Sequence, residues 1–167
     1  PMKKAILLIK IFIVALLPAF LSGCDKMPDN GSLDGMWQIM SVAYNSNYSE
    51  ADSTQAEAYT IITDTKKYKA YLSFQLDLAK LHWFDIYIDC PNTNIVLCRF
   101  ARGKSELRFH KFYWDCVDHD IEITDEEATR LSPFGFHQTD ETFKVIQLTH
   151  KSMILQSRYA RIVLRKF

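Results

Sequence analysis

The stretch "SLDGMWQIMSV", residues 32–42, places Gly35 two positions before Trp37 at the start of an apolar run. Tryptophan, isoleucine and valine are enriched in β-strands, where their bulky side chains pack well on a pleated surface. The run comes soon after a hydrophobic leader has ended. The stretch therefore predicts the first strand of a β domain that begins at about Leu33.

The residues before this strand have the pattern of an export signal. Residues 2–23 combine a basic start, an apolar middle from Ala5 to Phe20 and small residues at the end. A transmembrane helix is the alternative, but the apolar middle is short for a span of about 20 residues and contains Lys10. We therefore expect residues 1–23 to be a cleaved signal peptide, outside the fold.

The signal ends in "LSGC", residues 21–24, which resembles the lipobox of bacterial lipoproteins. The resemblance implies cleavage before Cys24, a diacylglyceryl group on its sulfur and an acyl chain such as palmitate on its amine. Two or three acyl chains hold a protein on a membrane almost permanently. An ordinary thiol at Cys24 is the alternative. The resemblance thus implies a lipid-anchored protein of the bacterial cell envelope, and Asp25 at the sorting position leaves us expecting the outer membrane.

Composition limits the partners of the mature chain. Of the 20 Lys and Arg residues three lie in the leader, which has no Asp or Glu, so the mature chain has more acidic than basic residues. Such a chain has no electrostatic reason to bind nucleic acid.

Residues 24–32 are mostly polar and predict a tether. Residues 33–167 suffice for one domain, and an aromatic content of 13% supplies its core.

Beyond a polar loop at residues 45–58, the chain reads as strands joined by turns. The clearest is "YLSFQLDLAKL", residues 71–81, where Leu72, Phe74, Leu76 and Leu78 fall on one face. Six more strands are predicted, at residues 84–90, 94–101, 106–114, 142–149, 152–157 and 160–167. One short helix is predicted at residues 124–135, where Thr124 and Glu127 form a capping box.

This pattern predicts an all-β, antiparallel fold with about eight strands and one short helix. A closed barrel is favoured because it leaves no strand edge exposed. A β-sandwich is the alternative, since the number of strands does not separate the two.

The first predicted strand and the end of the chain resemble a known family. The "LDGMW" of this strand resembles the glycine-x-tryptophan signature of lipocalins and their lipocalin-like relatives, and residues 143–167 are similar to the closing hairpin and strand of lipocalin-like envelope lipoproteins. The resemblance implies an up-and-down barrel whose narrow end is closed by Trp37, next to Gly35. It also implies an arginine from the last strand packed over Trp37. Arg158, Arg161 and Arg165 are the candidates, and we favour Arg165.

The same resemblance implies that the barrel binds a small hydrophobic ligand. The residues that could line its cup are Trp37, Phe74, Leu76, Leu78, Phe100, Phe109 and Phe143. Alternatively these side chains fill the barrel, and the domain is a non-catalytic interaction module that contacts another envelope protein or a glycan. A cavity of about 300 Å³ or more at one end would favour the ligand. A solid interior with an exposed aromatic patch would favour the module.

No catalytic motif is present, so we expect neither an enzyme nor a cofactor.

Three free thiols besides Cys24, at Cys90, Cys98 and Cys116, are favoured over one disulfide, because no pair of these cysteines lies directly opposite each other on neighbouring predicted strands. The five histidines are scattered along the chain. Cys116, Asp118, His119 and Asp120 crowd together near His110, but an extended strand would turn His119 away, so we expect no metal site.

Overall fold

The computed structural model describes residues 30–49, 51, 54, 56–86, 88 and 93–167. Within these residues the strands are β1 (Gly35–Asn45), β2 (Tyr59–Asp64), β3 (Tyr71–Gln75), β4 (Leu78–His82), β5 (Ile95–Arg102), β6 (Glu106–Trp114), β7 (Ile121–Glu122), β8 (Asp140–Leu148), β9 (Ser152–Gln156) and β10 (Ala160–Lys166). One short α-helix, α1 (Asp125–Ala128), and 3₁₀ turns at Gly31–Leu33, Lys66–Tyr68 and Thr129–Phe134 complete them. In this described part, no helix is long and apolar enough to cross a membrane. The predicted signal peptide and Cys24 lie outside the described residues.

Eight of the strands close an antiparallel barrel in the order β1-β3-β4-β5-β6-β8-β9-β10, after which β10 pairs with β1 again. Trp37 lies opposite Lys166 at one end of that closing pair, and Tyr44 lies opposite Ala160 at the other. β2 pairs with the second half of β1, and β7 pairs with the end of β6. The predicted all-β barrel is confirmed, and the sandwich alternative is wrong.

The two ends of the barrel differ in their connections. Three short turns, between β3 and β4, β5 and β6, and β8 and β9, lie at the end where β1 begins and Gly35 pairs with Phe74. We name this the closed end. The long connections from β1 to β2, from β4 to β5 and from β6 to β8 lie at the opposite, open end, together with the turn between β9 and β10.

The predicted tether, residues 24–32, ends earlier than expected. Asn30 is buried, and its side-chain amide donates to the Leu76 carbonyl and to the Asp34 carboxylate, both at 2.7 Å. The following 3₁₀ turn buries Leu33. Because both hydrogens of the Asn30 amide are held by the barrel, the domain begins at least as early as Asn30.

The predicted strand at residues 71–81 is a hairpin. β3 ends at Gln75, Leu76 adopts a left-handed φ of 58°, and β4 begins at Leu78. The turn breaks the alternation, so Leu78 lies on the outer surface and is 38% exposed. The prediction that Leu76 and Leu78 share the inward face with Phe74 is therefore wrong. The predicted strand at 84–90 is a bend at residues 84–86, and residues 87, 89 and 90 lie outside the described part.

The predicted helix is present but gives way to a 3₁₀ turn. Its capping box is confirmed, because the Thr124 hydroxyl accepts from the Glu127 N–H while the Glu127 carboxylate accepts from the Thr124 N–H. The 3₁₀ turn ends at Gly135, whose φ is 91°. A Cβ there would lie 2.7 Å from the Ile162 side chain on β10. Glycine thus lets this segment lie closely against the inner face of the barrel.

Candidate functional site

Phenylalanine rings fill the barrel interior nearest the closed end. Phe74, Phe100, Phe109 and Phe143, all predicted to line a cup, are at most 5% exposed. The ring centre of Phe109 lies 5.6 Å from that of Phe143 and 6.0 Å from that of Phe74. Phe74 and Phe100 meet edge to face at 5.2 Å. Aromatic rings at these spacings are in packing contact, so this part of the barrel is solid.

The interior nearest the open end is filled by residues 131–136, which we name the plug. Its Leu131, Phe134 and Phe136 are fully buried. The Phe134 ring lies 5.2 Å from the Trp83 ring, and the Phe136 ring lies 5.3 Å from Phe109. The plug therefore extends the packed column of rings up to the open end.

Trp37 lies at the closed end and is 0% exposed. Its indole N–H donates to the Leu33 carbonyl at 2.8 Å. The Lys166 ammonium lies 4.9 Å from the centre of the Trp37 rings, in the position of a cation–π contact. The same ammonium donates to the carbonyls of Ser32 and Asp34. Trp37 and Lys166 thus join β1, β10 and the segment that enters the barrel.

The predicted arginine over Trp37 is wrong. Arg165 is exposed and donates to the Gln38 side chain at 2.9 Å on the outer surface. Ile162 and Leu164 on the same strand are buried, so the inward position that follows them is Lys166. Arg158 and Arg161 belong to the opposite, open end of β10.

The family model of the lipocalin-like domain matches residues 19–167. The chain belongs to this lipocalin-like family. A lipocalin-like protein from Bacteroides uniformis ATCC 8492 is 18% identical, covers 82% of this chain and 100% of its own, and has a TM-score of 0.49. An uncharacterized protein from Bacteroides eggerthii DSM 20697 is 15% identical, covers 81% of this chain and 99% of its own, and has a TM-score of 0.53. No curated protein matches the chain.

The rim of the open end of the lipocalin-like domain holds a cleft of about 220 Å³. Three aromatic rings line it, and each comes from a different connection. His137 and Tyr159 stack in parallel at 4.6 Å. Tyr48 meets both of them edge to face, at 5.3 Å and 5.1 Å. The cleft therefore has an aromatic wall that the folding of three separate loops assembles.

A second cleft of about 320 Å³ adjoins the first and shares Tyr48, Thr142, Ser157 and Arg158 with it. We name the two clefts together the rim groove. The other residues of the second cleft are all polar: Asn45, Asn47, Glu57, Glu106, Lys144 and Gln156. Where the clefts meet, the Arg158 guanidinium lies 5.9 Å from the Tyr48 ring centre and donates to the Ser49 carbonyl. The rim groove thus runs from an aromatic end at the open rim, along the outer surface of β8, to a polar end at Glu106, where β6 begins.

A buried carboxylate supports the aromatic end of the rim groove. Glu141, on β8, is 8% exposed. It accepts from the backbone N–H of His137 at 2.9 Å and from the Ser157 hydroxyl. Burial raises the pKa of Glu141, against the opposing effect of the hydrogen bonds from Ser157, His137 and Gln138. Glu141 therefore holds together the two loops that carry His137 and Tyr159.

This carboxylate should make stability depend on pH. Because its folded-state pKa is raised, folded Glu141 keeps its proton to a higher pH than the unfolded chain does, so its contribution to stability falls as pH rises above about 4.5. The free energy of unfolding, measured with urea at about pH 5 and at about pH 7.5, should therefore fall less between these two pH values in Glu141→Gln than in the unaltered domain. Glu126→Gln, which changes an exposed side chain of α1, is the control. An equal loss in Glu141→Gln and the unaltered domain would contradict this assignment.

The acidic segment after β6 contains the candidate metal ligands. Asp118, His119 and Asp120 are exposed. Across the described residues, no three His, Cys, Asp or Glu side chains lie close enough to bind one metal ion.

Of the cysteines, Cys98 is a free thiol whose burial raises its pKa, Cys116 is half-buried, and Cys90 lies outside the described part. The preference for thiols over a disulfide stays a prediction.

Proposed function

We propose that this chain is a lipid-anchored protein of the bacterial cell envelope, attached through Cys24 to the outer membrane. Its lipocalin-like domain is a non-catalytic binding module, and the ligand binds in the rim groove at the open end. The lipobox supports the anchor. Membership of the lipocalin-like family supports a binding role.

One observation carries the location of the ligand. The rings of Phe74, Phe100, Phe109 and Phe143 occupy the space in which a hollow barrel would hold a hydrophobic molecule. A concave surface with a few converging polar groups is instead present in the rim groove. The ligand therefore contacts loops at the rim, and the packed barrel serves to hold these loops in place.

The walls of the rim groove favour a ligand with an apolar face and many hydroxyl groups, which is the chemistry of a glycan. The rings of Tyr48 and Tyr159 provide apolar surfaces on which a sugar ring can lie. Asn45, Asn47 and Gln156 line the polar end with side-chain amides that each donate one hydrogen bond within the domain, to the carbonyls of Arg158 and Ala56 and to the Glu57 carboxylate. Each amide has a second hydrogen that a ligand hydroxyl oxygen can accept. A saturated hydrophobic ligand has no oxygen to accept from these hydrogens.

An array of bacterial envelope oligosaccharides tests this proposal. The domain should retain one class of oligosaccharide, and Tyr48→Ala and Arg158→Ala should each weaken that binding about tenfold, equivalent to about 1.4 kcal/mol. Tyr71→Ala, on the outer barrel surface, is the matched control and should bind as the unaltered domain does. Retention of no oligosaccharide, or equal binding by Tyr48→Ala and Tyr71→Ala, would count against the rim groove.

A hydrophobic ligand inside the barrel is the second candidate. The buried Trp114 indole N–H, which donates to no acceptor within the described residues, favours a largely apolar ligand that carries one hydrogen-bond acceptor. Binding there requires the plug to leave the open end. Quenching of Trp83 and Trp114 fluorescence by 1-aminoanthracene, saturating at one molecule per chain, would support this candidate over the rim groove.

A further inference from the structure

We propose that the closed end of the lipocalin-like domain rests on the anionic phospholipid headgroups of the membrane to which the chain is anchored. The inference goes beyond ligand binding in the rim groove. It rests on the proposed function only for the anchor at Cys24, and the charge distribution of the domain supports it independently.

Cationic side chains gather at the closed end, around the point where the chain enters the fold. They are Arg102, Lys104, Lys151, Arg165 and Lys166. Arg102 donates to the Asn30 carbonyl at 2.5 Å, and Lys166 donates to the Ser32 carbonyl at 2.9 Å. The Lys166 backbone N–H donates to the Lys151 carbonyl, which brings the turn between β8 and β9 to the same place.

The acidic groups at this end do not cancel these charges. The Asp77 carboxylate forms an ion pair with Arg99 at 2.5 Å, and Glu106 lies opposite Lys144 in the pairing of β6 with β8. Among the described residues of this end, Asp34 is the remaining acidic residue, and its carboxylate accepts from Asn30. The five cations therefore leave the closed end with a clear positive excess.

One connection at the open end is strongly acidic. Residues 115–127, the first part of the connection from β6 to β8, include seven acidic residues and no Lys or Arg: Asp115, Asp118, Asp120, Glu122, Asp125, Glu126 and Glu127. At physiological ionic strength, charges act over about 8 Å, which is shorter than a barrel strand. A membrane below the closed end is therefore attracted by the cations there, although the mature chain as a whole is acidic.

The proposed anchor leads to the same face. Six residue steps separate Cys24 from Asn30, which is at most about 22 Å of extended chain. Asn30 lies at the closed end, so an acylated Cys24 keeps that end near the headgroups and the aromatic end of the rim groove turned away. Exposed Ile146 and Phe167 lie beside the basic turns and suit the apolar part of a membrane interface.

Vesicle sedimentation tests the inference without the lipid anchor. The mature chain from residue 24 with Cys24→Ser should bind vesicles that contain phosphatidylglycerol, bind them less as salt rises, and not bind vesicles of phosphatidylcholine alone. A basic side chain near an anionic surface strengthens binding about fivefold. The triple variant Arg102→Gln, Lys104→Gln and Lys151→Gln should therefore bind about 100-fold more weakly.

The matched control removes three positive charges away from the closed end. Lys66→Gln, Lys67→Gln and Arg130→Gln together should change vesicle binding by less than about threefold. Equal losses in the two triple variants would overturn the inference, since net charge would then explain the binding. Failure of the Cys24→Ser chain to bind phosphatidylglycerol would also overturn it and would leave an acidic protein as the partner of the closed end. Neither result depends on acylation or on oligosaccharide binding.

Discussion

Phe109→Ala is expected to lower the free energy of unfolding by about 3–5 kcal/mol, the usual loss when a fully buried phenylalanine becomes alanine. Phe109 is 0% exposed, and its ring contacts those of Phe74, Phe136 and Phe143. Because these neighbours come from β3, β8 and the plug, they cannot all move to fill the space that the ring leaves. Urea unfolding followed by tryptophan fluorescence measures the change.

Phe84→Ala is the matched control for this experiment. It removes the same atoms from a ring that is 55% exposed on the outer surface, where it contacts only Tyr71 and His82 among the aromatic side chains described. We expect a loss below about 1 kcal/mol. Comparable losses in Phe84→Ala and Phe109→Ala would mean that the barrel interior is loosely filled.

The cavity in Phe109→Ala gives a second measurement. An apolar cavity of this kind stays dry and binds small aromatic molecules. Benzene should therefore raise the unfolding midpoint of Phe109→Ala and leave that of the unaltered domain almost unchanged. A similar rise in the unaltered domain would indicate an existing cavity and would favour the ligand inside the barrel.

The features that sequence predicted well depend on local patterns. β5, β6, β9 and β10 are short runs rich in β-branched, aromatic and other apolar residues, so their approximate limits could be read directly, and buried residues recur at most alternate positions along them. The capping box at Thr124 and Glu127 is a contact within one turn of chain. Even Lys166 could have been found in this way, because it has the same parity as buried Ile162 and Leu164.

The features that sequence missed depend on distant contacts. The turn at Leu76 contains no glycine, proline or asparagine, and the Leu76 carbonyl is held by Asn30, which is 46 residues away in the chain. The plug lies against β10 because Gly135 meets Ile162, and no local pattern relates these two residues. The rim groove is likewise built from three connections, so only the closed barrel brings Tyr48, His137 and Tyr159 together.

Trp37→Ala should lower the free energy of unfolding by about 3–5 kcal/mol, measured in the same way. The substitution removes a fully buried indole, leaves the Leu33 carbonyl without its donor and takes away the ring beneath Lys166. Lys166→Met retains the aliphatic part of the side chain and loses the hydrogen bonds and the cation–π contact, so we expect about 1–2 kcal/mol. Met36→Ala, on the outer face of β1, should cost less than about 1 kcal/mol. If Trp37→Ala were as mild as Met36→Ala, the closed end would not depend on the signature tryptophan.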